Sequence, residues 1–396
     1  MFPQHAVTRT VSLKFAGQEL RFHLSHALFS SNRIDDGTVL LLKTLAQQKA
    51  VPATGAALDA GCGAGPLAVA LALHQSGLAV TATDRLALAV AFTSENARLN
   101  GAKLTAVTAL LLGGEVPAGG WNLIVSNLPA KAGEPVLHDF FPRALSQLAP
   151  GGRVAVVVVS SLVAAARLAL DECGAVLLYH EETAAYQVFH FGAGHKAPAS
   201  LPDLFPAVYL RGWMEFSVGK QDLRQKTFFG LPNFDALDYR WQVSEKFLVA
   251  IPRKVAALLV WEPGQGQMAA FLASGLSSGA TLHLAGNDLL ALLASRSAAA
   301  ASGTQVTALH CVDGLRELPA RIGEVQGAVI QVHSHPEVPW VDEVCHALLD
   351  LLPPGAPVLL NGTSTDLSRF LEKHKGLRKV QDQKYRGWRS ALLVRS

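Results

Sequence analysis

Between Ala56 and Phe191 the chain alternates apolar runs of strand length with longer segments of helical period, and nothing else in its 396 residues constrains the fold as tightly. The pattern predicts strands at 56–60, 79–83, 104–108, 121–126, 153–159, 174–179 and 185–191, and helices at 66–76, 86–99, 134–148 and 160–172. Such alternation builds a parallel sheet covered by helices on both faces. A near-continuous apolar strand like Val154–Val159 suits that double cover. The last two strands have no helical stretch between them. They are expected to pair as a hairpin, giving a mixed sheet with one reversed strand at or near its edge.

Hydrophobic residues make up 50% of the chain and charged residues 16%, against about 25% charged in an average globular protein. That composition excludes disorder as the main state, and the length predicts more than one domain. The longest apolar run near a strand falls far short of the roughly 20 residues that span a bilayer. The opening MFPQHAVTRT lacks a signal-peptide core. A soluble cytoplasmic protein without a membrane partner is expected. The cysteines at 62, 173, 311 and 345 form no CxxC pair, which removes the usual zinc and redox spacings. His333 and His335, with Cys345 and His346 beyond, read as surface or turn residues, and no metal is expected.

Gly192 to Pro206 breaks both periodicities and reads as a linker, after which the chain looks like a second copy of itself. Lys14–Arg21 has a counterpart in Phe216–Arg224, and Phe29, Asn32 and Asp35 in Phe229, Asn233 and Asp235. Segment 58–71 parallels 260–273, and 149–161 parallels 353–364. Duplication on this scale implies two similar α/β domains, each preceded by a short β-hairpin: residues 1–191, a linker at 192–206, and residues 207–396.

The turn after the first strand is Asp59-Ala-Gly61-Cys-Gly63-Ala-Gly65-Pro66. Glycines here permit unusual backbone angles and let a ligand lie against the main chain, and Pro66 suits the first position of a helix. The spacing differs from the dinucleotide fingerprint. Asp84, at the end of the second strand, stands where a carboxylate accepts both hydroxyls of a ribose. On a strand, turn, helix and strand these residues together point to a nucleoside ligand, with Asp59 reaching an ammonium group of that ligand directly or through water.

These motifs, with Ser126-Asn127-Leu128-Pro129 at the end of the fourth strand, resemble the class I S-adenosylmethionine-dependent methyltransferases. More narrowly, residues 29–42 (FSSNRIDDGTVLLL) and the tandem arrangement resemble the ribosomal RNA guanine-N2 methyltransferases of the "methyltransferase small" group. The resemblance implies two tandem Rossmann-like methyltransferase domains, each a mostly parallel seven-stranded sheet with one reversed strand. It implies S-adenosyl-L-methionine as cofactor, bound by Asp59, Gly61, Gly63, Gly65 and Asp84. It also implies catalysis at Asn127, Leu128 and Pro129, where the Asn side chain and the following carbonyl accept hydrogen bonds from a substrate amine.

Two departures from the family pattern stand out. Ala130 occupies the position of an aromatic that stacks on the base, leaving Phe29, Phe140 and Phe141 as unranked substitutes. The segment Leu110–Glu115 lacks the acidic residue often placed beside the adenine. In the second copy Glu262 is read in place of Asp59, Gly264 and Gly266 in place of Gly61 and Gly63, and Met268 in place of Gly65. Asp84 falls near Asn287 or Asp288, and Asn-Leu-Pro near Ser334-His-Pro336. That copy is expected to serve as a scaffold or to bind substrate.

Charge is uneven along the chain. Residues 1–200 hold 14 basic against 13 acidic side chains, 201–368 hold 11 against 16, and 369–396 hold 9 against 2. The C-terminal cluster of Arg369, Lys373, Lys375, Arg378, Lys379, Lys384, Arg386 and Arg389, interleaved with Tyr385 and Trp388, reads either as a solvated surface or as an RNA-contacting face. A smaller group of the same kind lies at Arg211, Trp213, Lys220, Arg224, Lys226, Phe228 and Phe229. The leading expectation is methylation of an exocyclic amine of RNA. Its alternatives are methylation of a protein or small molecule, or a non-catalytic RNA-binding or assembly protein.

Overall fold

The structure is a computed structural model that describes residues 2–194, 201–237, 239–302, 307–335, 338 and 340–396. The chain divides into two compact units, Met1–Tyr209 and Leu210–Ser396.

The first unit opens with a hairpin of β1 (Arg9–Phe15) and β2 (Gln18–Leu24), paired antiparallel. It is followed by α1 (Asp36–Gln47), β3 (Thr54–Ala60), α2 (Pro66–His74), β4 (Gly77–Asp84), α3 (Ala87–Asn100) and β5 (Thr105–Thr108). Then come β6 (Trp121–Asn127), α4 (Glu134–Ser146), β7 (Leu148–Val159), α5 (Val163–Glu172), β8 (Val176–Glu182) and β9 (Tyr186–Gly192). The seven-stranded sheet runs β5-β4-β3-β6-β7-β9-β8. Only β9 is reversed, antiparallel to β7 on one side and to β8 on the other. Val154 to Val158 are all buried, as a strand sandwiched between helical layers requires.

Helix α1 has no counterpart among the predicted helices. Its start is nevertheless written in the sequence: Asp35 caps it, accepting from the N–H groups of Gly37 (2.9 Å) and Thr38 (3.3 Å). On α3, Asn96 and Asn100 sit one turn apart and both grip β2. Asn96 accepts from His23 N–H (2.7 Å) and donates to the carbonyls of His23 (3.0 Å) and Ala64 (2.8 Å). Asn100 accepts from Arg21 N–H (2.8 Å) and donates to its carbonyl (2.6 Å). The hairpin is therefore bonded to the same helix that backs the glycine turn.

Residues 201–209 belong with the first unit, where Arg143 donates to the Pro202 carbonyl at 2.7 Å. The expected linker thus runs into structured chain after residue 200, while residues 195–200 of it lie outside the described residues.

The second unit repeats the plan. Its hairpin is β10 (Leu210–Val218) and β11 (Gln221–Phe228), followed by α6 (Tyr239–Leu248), β12 (Ala257–Trp261), α7 (Gln267–Ala273), β13 (Thr281–Gly286), α8 (Leu289–Ala301) and β14 (Thr307–Cys311). It ends with β15 (Ala328–Gln331), α9 (Trp340–Leu351), β16 (Pro357–Thr363), α10 (Ser364–Lys373), β17 (Leu377–Tyr385) and β18 (Trp388–Arg395). The sheet order β14-β13-β12-β15-β16-β18-β17 matches the first strand for strand, again with one reversed member, β18. Asp235 does not repeat the capping role of Asp35. It pairs with Arg211 at 2.7 Å, and the residue just before α6, Asp238, lies outside the described residues.

Among the described residues no helix is long and apolar enough to cross a membrane, and no cluster of three His, Cys, Asp or Glu side chains is placed to hold a metal ion.

Candidate active site

Past β3 the first unit turns through residues 61–65, and three of the five are glycines with left-handed φ angles of +81°, +57° and +83°. L-residues adopt such angles only at a cost. The N–H groups of Gly61 and Cys62 both donate to the Thr83 carbonyl, at 2.8 and 2.9 Å, which fastens the turn to the end of β4. The glycines then divide their work. A Cβ on Gly63 would meet open space, and one on Gly61 would come within 3.3 Å of Leu111. One on Gly65 would lie 2.8 Å from Thr93 Cγ2. Gly65 therefore allows α3 to pack close, whereas Gly61 and Gly63 leave the main chain bare.

Asp84, the last residue of β4, holds the turn from beneath. Its Oδ2 accepts from Gly63 N–H at 3.0 Å and its Oδ1 from Leu86 N–H at 2.9 Å. Burial pushes its pKa up, and these two bonds oppose the shift. A carboxylate offers about four acceptor sites, so capacity remains for a ligand hydroxyl.

Asp59 is placed differently from the sequence expectation. It is fully buried and does not line the cleft: Oδ2 accepts from Ala68 N–H in the first turn of α2 (3.0 Å), while Oδ1 has no hydrogen-bond partner. Burial raises its pKa to about 7, with Asp84 adding to the shift and the Ala68 bond working against it.

An open cleft lies over the turn, walled by Gly61, Gly63, Asp35, Arg33, Phe29 and Asn127 among others. The amide of Asn127, at the carboxyl end of β6, donates from Nδ2 to Asp35 Oδ2 (2.8 Å) and to Thr38 Oγ1 (3.0 Å). Tyr186, which opens β9, donates its hydroxyl to Asp35 Oδ1 at 3.1 Å. Leu128 is buried, its N–H donating to the Val157 carbonyl (3.0 Å), and Pro129 and Ala130 are exposed.

The three aromatic candidates separate cleanly. Phe140 and Phe141 are 2% and 0% exposed and pack edge-on to each other in the core, while Phe29 is 74% exposed on the cleft wall. Gly61, Gly63 and Asn127 thus share one cleft, with Asp84 joined to it through Gly63, and Asp59 and Gly65 stand behind. Asp35 and Tyr186 escaped the sequence analysis as site residues. The capping pattern of Asp before Gly-Thr and an apolar run carried a signal for the first. Nothing local carries one for a tyrosine 151 positions away.

In the second unit the hydrogen-bond pattern sets a register different from the one expected. Glu262 N–H donates to the Ala285 carbonyl (2.8 Å) just as Gly61 does to Thr83, and Gly266 N–H to the Pro263 carbonyl (3.0 Å) as Gly65 does to Cys62. Glu262 therefore replaces Gly61 rather than Asp59, Gly264 replaces Gly63, and Gly266 rather than Met268 replaces Gly65. Gly266 has the same packing duty, since a Cβ there would lie 2.8 Å from Ser295 Cα. Strand pairing puts Val260 at the Asp59 position.

The counterparts of Asp84 and Asn127 shift as well. Gly286, not Asn287 or Asp288, matches Asp84, because its carbonyl receives Val312 N–H (3.0 Å) as that of Asp84 receives Ala109 N–H (2.9 Å). Gln331, not Ser334, matches Asn127, because the next residue in each case donates to the neighbouring strand, Val332 to Asn361 (2.7 Å) and Leu128 to Val157. Pro336 lies outside the described residues.

Glu262 sits at φ +53° and folds its carboxylate over the end of β13, accepting from Asn287 N–H at 2.8 Å. A Cβ on Gly286 would come within 3.3 Å of it. Burial raises its pKa to about 7. Gln331 is buried with its amide turned to the Met268 sulfur (3.8 Å). In the second unit Glu262 thus stands in place of Gly61, Gly286 in place of the Asp84 carboxylate, and a buried Gln331 in place of the half-buried Asn127, while Gly264 stays as open as Gly63.

The C-terminal basic residues form no tail. They lie on α10 and the β17–β18 hairpin, where Arg389 is buried in an ion pair with Asp382. Arg386 packs over the rings of Tyr239 (4.9 Å) and Tyr385 (5.5 Å), and Arg240 over Trp388 (4.8 Å). Tyr239 and Tyr385 are both exposed.

Residues 19–190 match the methyltransferase small domain family. The chain is 34% identical over 170 residues to ribosomal RNA small subunit methyltransferase C of Pseudomonas aeruginosa, covering 40% of this chain and 47% of the relative. It is 27% identical over 151 residues to the uncharacterised protein YbxB of Bacillus subtilis, covering 38% and 74%. The chain therefore spans less than half the length of the methyltransferase relative. A solved structure of the T. thermophilus 16S rRNA N2 G1207 methyltransferase, in complex with AdoMet and guanosine, aligns over 99% of both chains with a TM-score of 0.67 at 19% identity, a likeness of fold through both units. Residues 19–190, the greater part of the first unit, thus resemble a methyltransferase small domain, and the strand order and glycine turn lie within that match.

Proposed function

We propose that the first unit transfers a methyl group from S-adenosylmethionine to an exocyclic amine of RNA, with the N2 of a ribosomal guanine as the favoured acceptor, and that the second unit binds substrate. The cleft carries this reading: it brings a bare glycine turn, a strand-end carboxylate and a side-chain amide within reach of one another. The donor set fits the cofactor, since Gly63 leaves its main chain open and Asp84 keeps acceptor capacity for a ribose. S-adenosylmethionine supplies the electrophilic methyl group on a sulfonium. Asn127 Oδ1 and the Leu128 carbonyl accept the hydrogens of the amine and turn its lone pair toward the donor, so the protein contributes position rather than a base. Phe29 replaces the missing aromatic at Ala130 as the surface on which a base stacks. Asp59, without access to the cleft, anchors the start of α2 beneath the turn.

The names of the relatives and the solved neighbour support RNA as acceptor. Methyl transfer from labelled cofactor to RNA, protein and small-molecule fractions is the test. The expected result is label in RNA, with kcat reduced by roughly 10²-fold in Asn127→Ala for loss of orientation and S-adenosylhomocysteine affinity held within about twofold. Label in the protein fraction would move the acceptor class. No label anywhere, with no cofactor binding by calorimetry, would remove the enzyme.

RNA retention is assigned to the cation and aromatic surface at Tyr239, Tyr385 and Arg386. Stacking is worth about 1–3 kcal/mol per base, so Tyr385→Ala with Arg386→Glu in the full chain is expected to weaken binding of a labelled single-stranded RNA roughly tenfold by anisotropy. Unchanged affinity would return this surface to the role of a solvated sheet edge.

A further inference from the structure

We infer that Asp35 and Tyr186 are positioning residues that select which end of the Asn127 amide faces the substrate. The inference rests on the reading of Asn127 as an amine acceptor. A primary amide at the mouth of a cleft has two orientations that exchange its oxygen and its NH2, and only one of them presents an acceptor to an amine. The choice is made from behind. Asp35 Oδ2 lies 2.8 Å from Asn127 Nδ2 and Thr38 Oγ1 lies 3.0 Å from it, so both hydrogens of the amide are engaged by the start of α1. Rotating the amide by half a turn would set its oxygen against the carboxylate, two acceptors at 2.8 Å with no hydrogen between them. Loss of such a bond and the repulsion replacing it act in the same direction.

The carboxylate that makes this choice is itself held on every side. Oδ2 takes the N–H groups of Gly37 and Thr38 at the helix cap, and Oδ1 takes the Tyr186 hydroxyl at 3.1 Å. The tyrosine ring lies so close to the cap that a Cβ on Gly37 would sit 2.8 Å from Tyr186 Cε1 and 2.9 Å from Asp35 Oδ2. Only glycine fits between them. The reversed strand β9 therefore does more than complete the sheet: its first residue reaches back to the cap and fixes the group that fixes Asn127.

The second unit bears on the same point. Gln331, at the Asn127 position, has its amide turned to the Met268 sulfur instead of to a carboxylate.

The discriminating variant is Asp35→Ser. Serine caps a helix about as well as aspartate, so the start of α1 survives, while its shorter hydroxyl gives up the carboxylate oxygen that holds the Asn127 amide. With Asn-selective 15N labelling, the Asn127 side-chain resonance is assigned by its disappearance in Asn127→Ala. In the wild-type chain its two protons are expected to be hydrogen-bonded and slow to exchange with solvent. In Asp35→Ser they are expected to move toward solvent-like shifts, with partial movement in Tyr186→Phe. Turnover should split accordingly: kcat falls roughly 10- to 100-fold in Asp35→Ser, the range for a misplaced catalytic group, while KM for RNA and S-adenosylhomocysteine affinity stay within about twofold. Unmoved Asn127 resonances, or full kcat in Asp35→Ser beside an active wild type, would overturn the inference. A wild-type chain that methylates nothing would instead sink the proposed function, and the resonances would still judge the positioning claim because they are read without turnover.

Discussion

Gly61→Glu, which gives the first glycine turn the residue found at the same place in the second, is expected to abolish S-adenosylhomocysteine binding while leaving the fold intact. The second unit already shows that this turn closes with a glutamate at φ +53° and that the side chain then lies over the end of the neighbouring strand, bonded to the N–H of residue 287. In the first unit that space adjoins Asp84, so the substitution would put a second carboxylate beside the one proposed to hold the sugar and cover the exposed main chain. A loss of roughly hundredfold or more in affinity, about 2.7 kcal/mol, is expected by calorimetry, with an unchanged circular dichroism spectrum. Retention of binding within a few fold would mean that the ligand does not lie against residue 61. The reverse change, Glu262→Gly, is expected to confer no binding, because Val260 and Gly286 leave the second unit without either carboxylate.

Asp59→Asn is expected to stabilise the protein at alkaline pH. The carboxyl is fully buried with one oxygen unpartnered, and its pKa of about 7 stands above the usual carboxylate value of 3.8. Between these two values the folded chain holds a proton that the unfolded chain has released. Stability therefore falls as pH rises from about 4 to about 7, and the full penalty persists above that window. An upper limit for the penalty is about 4 kcal/mol. Asparagine removes the charge but buries an amide N–H in its place, at about 1–3 kcal/mol, so the net gain at pH 8 is expected to be about 1–3 kcal/mol. Scanning calorimetry should show a higher Tm for the variant at pH 8 and a difference that shrinks and then reverses as pH falls toward 4. A difference independent of pH would mean that Asp59 does not carry a strained charge.

The first sheet was legible because its signal is local: a run of apolar residues in β7, a glycine turn after a strand, a helix opened by proline, and the second sheet followed from the duplication. The single reversed strand followed from a missing helix between two apolar runs. What escaped depends on side chains far apart in sequence. The letters Asp59-Ala-Gly61 read naturally as a ligand-facing acid beside a ligand-facing glycine, but strand alternation turns Asp59 under α2 and away from the cleft. The second copy was misaligned by one to three residues at each motif, because similarity of letters drew Glu262 onto Asp59, whereas backbone hydrogen bonds put it on Gly61. Phe29, Phe140 and Phe141 were indistinguishable as letters, and only burial separates them. Helix α1 was missed although its cap was quoted, since a capping residue announces a start without saying that the following apolar run has helical period.

Asn96 ties by hydrogen bonds two parts of the first unit that otherwise meet only through apolar packing. Its side chain spends one donor on the glycine turn, at Ala64, and its remaining bonds on the second strand of the opening hairpin. Deleting residues ahead of Leu24 would take away two of the three bonds that orient this amide and open it to water, leaving its hold on Ala64 to compete with solvent. The first twenty-odd residues thus brace the loop from outside, and a fragment trimmed to its sheet alone would keep every motif and lose that brace.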